Sequence, residues 1–134
     1  MKKITISVPS SVANVSCGFD VLGFCLDKPC DDMTVEIKKT KGLEIKIINE
    51  KSITTDPKNN VCGPVAFAMI KKLNLNHGFY ITIIKKIKPG SGIGSSAASA
   101  AGMAFAINYL TGNTFSKLEL VKFAMLGEEI ASGA

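Results

Sequence analysis

The sequence contains no arginine, although 16 lysines give it a formal net charge of +5. Nucleic-acid readers rely on the arginine fork for phosphate and base-edge contacts and on aromatic faces for stacking. Aromatic residues make up only 7% of the chain, so no nucleic-acid partner is expected. No apolar run approaches the roughly 18 residues of a membrane span, and no membrane partner is expected either. A single histidine is present, and none of the four cysteines (Cys17, Cys25, Cys30, Cys62) stands in CxxC spacing. That excludes the usual zinc patterns. Met1-Lys2-Lys3 is basic like the tip of a signal peptide, but Ile4, Ile6 and Val8 then alternate with Thr5 and Ser7 instead of forming a continuous apolar core. A cytoplasmic location follows as the expectation, and in that reducing compartment the cysteines are expected as free thiols.

What is present is an ordinary globular balance: 134 residues, 46% hydrophobic and 20% charged, enough for one domain with its own core. The lysines fall largely in pairs (Lys38-Lys39, Lys71-Lys72, Lys85-Lys86), which reads as a solvated surface; the remaining basic bias suits an anionic small-molecule substrate. Residues 4–8 alternate as a strand, and residues 19–27 form an apolar stretch broken by Asp20 and Gly23. Met33–Lys39 and Leu43–Ile48 are two alternating runs joined by Thr40-Lys41-Gly42, the pattern of a hairpin. After a turn at residues 56–60, Val61, Val65, Ala68, Met69 and Leu73 recur at helical spacing. Asn74 to Gly78, with His77 as an exposed bystander, closes that helix before a strand over 79–88. A second helix is predicted over 95–110. Ser116-Lys117-Leu118-Glu119 is a capping box that opens a third. Strands plus helices in this order predict an α+β fold.

The segment richest in chemistry is Lys88-Pro89-Gly90-Ser91-Gly92-Ile93-Gly94-Ser95-Ser96-Ala97-Ala98. A strand feeds it and an Ala-rich helix leaves it. Alternate glycines let the backbone come close to a ligand, and successive N–H groups there form an anion nest. The unpaired amides and positive dipole end of the following helix add to the nest, making a phosphate cradle. Either Ser95 or Ser96 has a hydroxyl placed to cap the helix or to face a nucleotide-bound Mg²⁺. A Walker A loop is excluded because no lysine follows Gly94. The dinucleotide fingerprint is excluded by the GxGxG spacing and by the helix, not strand, that comes next.

Pro89 to Ala98 resembles the central motif of the GHMP kinases (galactokinase, homoserine kinase, mevalonate kinase and phosphomevalonate kinase), with Ile93 where leucine is common. The stretch from Val8 to Gly23 resembles the first motif of the homoserine kinase branch, and the Gly-Glu-His element of mevalonate kinases and galactokinases is absent. Ser16 replaces a glycine of that motif and Cys17 follows it, while Asn14 and Asp20 stay in register. Gly127 to Ala134 is similar to the segment that leads into the branch's His-x-Asp-Asn motif.

This resemblance implies a GHMP kinase N-terminal domain with a ribosomal-protein-like fold, binding ATP and Mg²⁺ and acting on L-homoserine, with a homodimer as the assembly to expect. Residues 1–134 then read as an ATP-binding domain cut short, lacking the C-terminal GHMP domain and incapable of turnover alone. The amides of Gly92 to Ser96 hold the phosphates, Ser96 and Glu128 are the Mg²⁺ ligands, and Asn14 and Asp20 contact the amino acid. Asn60 with Val61 resembles the edge of the adenine pocket, and a plain helix cap fits Asn60 equally. For Glu128 the helical wheel adds independent support, since it falls between Val121 and Ala124 in an apolar sector where a carboxylate needs a partner. The competing readings are another GHMP kinase, for a mevalonate-pathway compound or a sugar, and a non-catalytic RNA- or protein-binding module of the same fold.

Overall fold

Period-two alternation along the strand segments gives each one a helix-facing side and a solvent side, and this builds the fold. The computed structural model describes residues 3–9, 30–86 and 95–132. Within them lie strands β1 (Lys3–Pro9), β2 (Cys30–Lys38), β3 (Leu43–Ile48) and β4 (Gly78–Ile84) and helices α1 (Cys62–Leu73), α2 (Ser95–Leu110) and α3 (Lys117–Ser132). On the covered side stand Val8, Met33, Val35, Leu43, Phe79, Ile81 and Ile83, all buried. Each such aliphatic or aromatic side chain contributes about 1.5–3 kcal/mol of transfer free energy. Helix α2 packs on β1 and β2, and α1 and α3 pack on α2. On the open side the register pairs polar residues, with Thr5 and Thr34 hydroxyls 2.9 Å apart and the Ser7 hydroxyl donating to Asp32 at 3.1 Å. The result is a two-layer α+β domain.

The sheet order is β1-β2-β4-β3, which corrects the hairpin expected from residues 33–48. β4 lies between the two runs, antiparallel to β2 and parallel to β3. Gly78 pairs with Lys38 on one side while Phe79 pairs with Leu43 on the other. The Gly78 N–H donates to Thr40 O at 2.7 Å and the Phe79 N–H to Gly42 O at 3.2 Å. The Thr40-Lys41-Gly42 link therefore spans the width of an inserted strand instead of closing a two-stranded turn. β4 competes successfully for the middle because Phe79, Ile81 and Ile83 are the larger apolar load and need neighbours on both edges.

Helix boundaries follow their caps. Asn74 closes α1 in the left-handed region (φ 55°), a conformation asparagine tolerates. Asn108 near the end of α2 accepts from the Phe115 N–H at 2.9 Å and donates to Phe115 O at 3.2 Å, pinning the α2–α3 connection. The capping box is formed as expected: the Ser116 N–H donates to Glu119 Oε1 at 3.0 Å and the Glu119 N–H to Ser116 Oγ at 3.3 Å. Two further expectations need correction. His77 is half-buried, its ring edge-on to Phe79 with centroids 5.3 Å apart. Cys30 is disulfide-bonded, whereas Cys62 is a free thiol as expected; the absence of CxxC spacing bears on metal sites and does not govern bridges made by tertiary approach.

Candidate nucleotide site

Lys85, the residue just after β4, continues the parity of its buried face: Phe79, Ile81, Ile83 and Lys85 alternate, and all four are buried. Asp31 shares the buried parity of Met33 and Val35 on β2. Extending the register Asp32↔Ile84 by one step puts Asp31 opposite Lys85. The two form an ion pair with 3% and 0% of their side-chain surface exposed. Further hydrogen bonds tie the pair in: the Lys86 N–H donates to Asp31 Oδ1 at 2.9 Å, and Lys85 Nζ donates to the Ser99 hydroxyl at 3.4 Å. The Cys62 thiol donates to Ser99 O at 3.8 Å. Burial pushes the Cys62 thiol up to about 12, the Lys85 ammonium opposing and the Asp31 carboxylate adding to the rise. Lys85 thus departs from the solvated pair expected of Lys85-Lys86; Lys86 alone is surface-exposed, 3.0 Å from Asp32. Removing one partner of such a buried pair costs about 3–5 kcal/mol.

Asn60 stands next to this cluster and is itself buried. Its Oδ1 accepts the Cys62 N–H at 2.9 Å and its Nδ2 donates to Thr54 O at 2.8 Å. Val61 already has helical φ and ψ, so Asn60 acts as the N-cap of α1. The capping role is therefore realised. An open depression beside the cap is lined in part by Ile47, Lys51, Thr54 and Thr55.

Residues 88–94 of the glycine-serine segment, with Asn14 and Asp20, lie outside the described residues. Ser95 and Ser96 open α2, Ala97 is half-buried, Ala98 is fully buried, and Glu128 lies in α3. α2 carries no acidic residue in its first turn, so nothing there opposes an anion at the helix's positive end. A methyl group built on Gly127 would lie 3.0 Å from Ala100 Cβ. The backbone position before Glu128 therefore meets α2 one turn past Ser96.

Residues 60–134 match the family described as GHMP kinases N terminal domain. The chain belongs to this family. Homoserine kinase from Methanococcus vannielii is 45% identical to this GHMP kinase domain over 136 aligned residues, covering all of this chain and 45% of that protein. The crystal structure of homoserine kinase from Cytophaga hutchinsonii superposes with a TM-score of 0.83 at 38% identity, covering all of this chain and 43% of that one. Mevalonate diphosphate decarboxylase from Staphylococcus aureus, at 14% identity and a TM-score of 0.68, shares the GHMP fold alone. The chain spans a little under half the length of the curated relatives it matches.

Motif reading did not find the Asp31–Lys85–Ser99 cluster of the GHMP domain. The usable signal was parity: the alternation that makes Phe79, Ile81 and Ile83 core residues continues to Lys85.

Proposed function

We propose that the full-length protein transfers the γ-phosphoryl group of ATP to the hydroxyl of L-homoserine, giving O-phospho-L-homoserine for threonine biosynthesis in the cytoplasm. The observation that carries this reading is the similarity to homoserine kinases along the entire chain, at 45–47% identity in two Methanococcus relatives. Residues 1–134 are read as the N-terminal ATP-binding domain, with a C-terminal GHMP domain contributed by further sequence, and the protein as a homodimer without nucleic-acid or membrane partners. No helix among the described residues is long and apolar enough to cross a membrane.

Phosphoryl transfer asks a protein chiefly for positioning and for neutralisation of developing charge. The amides of Gly92 to Ser96 would hold the phosphates, within the wider ATP segment Lys88 to Ala98, and Asn60 with Val61 would border the adenine. The Ser96 hydroxyl and Glu128 carboxylate would hold Mg²⁺, which supplies charge neutralisation at the phosphates when bound. The Asp20 carboxylate suits the α-amino group of the acceptor, and the Asn14 amide suits its amino or hydroxyl end.

The test is a coupled ATPase assay of the full-length protein with homoserine, mevalonate and galactose as acceptors. Turnover with homoserine at least a hundredfold above the other two supports the reading. A preference for mevalonate or galactose, or no acceptor-dependent turnover, overturns it.

A further inference from the structure

We infer that Asp31, Lys85 and Ser99 form a positioning device that sets the start of α2 against the end of β4, the two supports of the proposed ATP segment. The inference rests on the nucleotide-binding reading above and goes beyond it, because none of the three is among the groups assigned to ATP, Mg²⁺ or acceptor.

The contacts are directional and each reaches a different element. Asp31, at the start of β2, holds the Lys85 ammonium through Oδ2 and the Lys86 backbone N–H through Oδ1. Lys85 follows β4, its own N–H donating to Ile48 O at 3.0 Å and so extending the parallel pairing with β3. Its ammonium reaches the Ser99 hydroxyl, one turn into α2. Ser99 O then accepts from Cys62, whose N–H is held by Asn60. One connected path runs from the cap of α1 through the first turns of α2 to the strand exit.

Stability alone is a poor reason for this arrangement. A buried ion pair is often no more stabilising than apolar side chains of the same volume. Apolar contacts are non-directional and let a helix slide along a sheet, whereas a connected set of hydrogen bonds admits one arrangement. Anion cradles and metal ligands must be held to within about 0.5 Å to work. The Ser99 contact stands one turn from Ser96, where such tolerance matters.

The experiment uses the full-length protein with Asp31→Asn and Lys85→Met combined. This double variant removes both charges of the pair together and keeps an acceptor for the Lys86 N–H. Expected are an unchanged cooperative thermal transition, a KM for MgATP raised at least tenfold and a KM for homoserine within twofold of wild type. A purely structural pair would not split the two constants. A folded double variant with wild-type KM for MgATP, or with both constants raised equally, overturns the inference. Should the double variant not fold, Ser99→Ala decides: a threefold or greater rise in KM for MgATP alone supports the device, and no rise sinks it. If wild-type protein turns over no homoserine, the proposed function fails separately. Calorimetric MgATP binding to wild type and variants then reads the inference, with a tenfold difference expected and equal binding overturning it.

Discussion

Gly127 of α3 meets the carbonyl oxygen of Val61 so closely that a methyl group at its Cα would stand 2.6 Å from it. The same methyl would lie 3.0 Å from Ala100 Cβ and 3.2 Å from Val65 Cγ2. Three helices therefore converge on one hydrogen-sized gap, and the residue after that gap is Glu128. The nearest obstacle is backbone, which cannot rotate away. Gly127→Ala is expected to cost about 1–3 kcal/mol by overpacking, read as a lower urea midpoint. In the full-length protein it should also raise the KM for MgATP, because α3 must move away from α2 to admit the methyl. A variant with unchanged midpoint would show that the helices have slack at this contact.

Gly78 poses the same problem in the sheet, more severely. A Cβ there would fall 1.8 Å from Gly42 O and 2.8 Å from Gly42 N, in the backbone that β4 must pass under to enter between β2 and β3. Gly78→Ala should cost about 3 kcal/mol or more, in the range reserved for severe core overpacking. Gly42→Ala is the control. Its space is open among the described residues, with Lys38 Nζ at 3.8 Å the one atom within 4 Å, but φ is +104°. Its cost should be backbone strain alone, about 1–2 kcal/mol. Equal losses from the two substitutions in urea denaturation would contradict the steric account.

The contrast between these glycines marks where sequence reading succeeds and where it stops. Strands, helix limits and the Ser116 capping box are legible because they depend on neighbours a few residues apart: alternation at 43–48, spacing of Val65 and Met69, Ser and Glu three apart. The insertion of β4 is not, since two alternating runs joined by a glycine-containing link look the same whether they pair or are spread by a third strand. Gly78 was readable as a turn residue, yet its role is close backbone approach across 36 positions. Lys85 was misplaced for a related reason. Residue type suggested solvent, and only strand parity, combined with Asp31 at the matching position of β2, identifies the burial. The glycine-serine segment and the Asn14–Asp20 segment were legible as motifs, whereas the Asp31–Lys85–Ser99 cluster belongs to no motif.

Cys62 offers a test by pH. Burial pushes its thiol pKa up to about 12 from an ordinary value of 9.0. The fold thus favours the protonated thiol, so this contribution is fully present below about pH 9 and declines as pH rises toward 12. The limiting slope for one group is about 1.4 kcal/mol per pH unit. Wild-type protein should lose denaturation midpoint more steeply than Cys62→Ala between pH 9 and 11, whatever the other groups contribute to both. In the native state at pH 8 the thiol should react with alkylating reagents far more slowly than in urea. Rapid native labelling would place the thiol in contact with solvent.

Glu119 gives the opposite sign. Hydrogen bonds from the Ser116 N–H and then the Ser116 hydroxyl hold its carboxyl below the ordinary value of 4.5, with Lys72 and Lys122 adding smaller attractions and partial desolvation opposing. The charged form is favoured in the fold, so its contribution is present above about pH 4.5 and lost as pH falls through the lowered value. Ser116→Ala removes the acceptor for the Glu119 N–H and is expected to cost about 1 kcal/mol at pH 7. Glu119→Gln keeps an oxygen for the Ser116 N–H but not the charge, so its deficit at pH 7 should shrink toward zero by pH 3. Thermal melts at the two pH values measure this directly. A Glu119→Gln deficit that persists at pH 3 would mean that the side chain acts at the start of α3 through packing and not through charge.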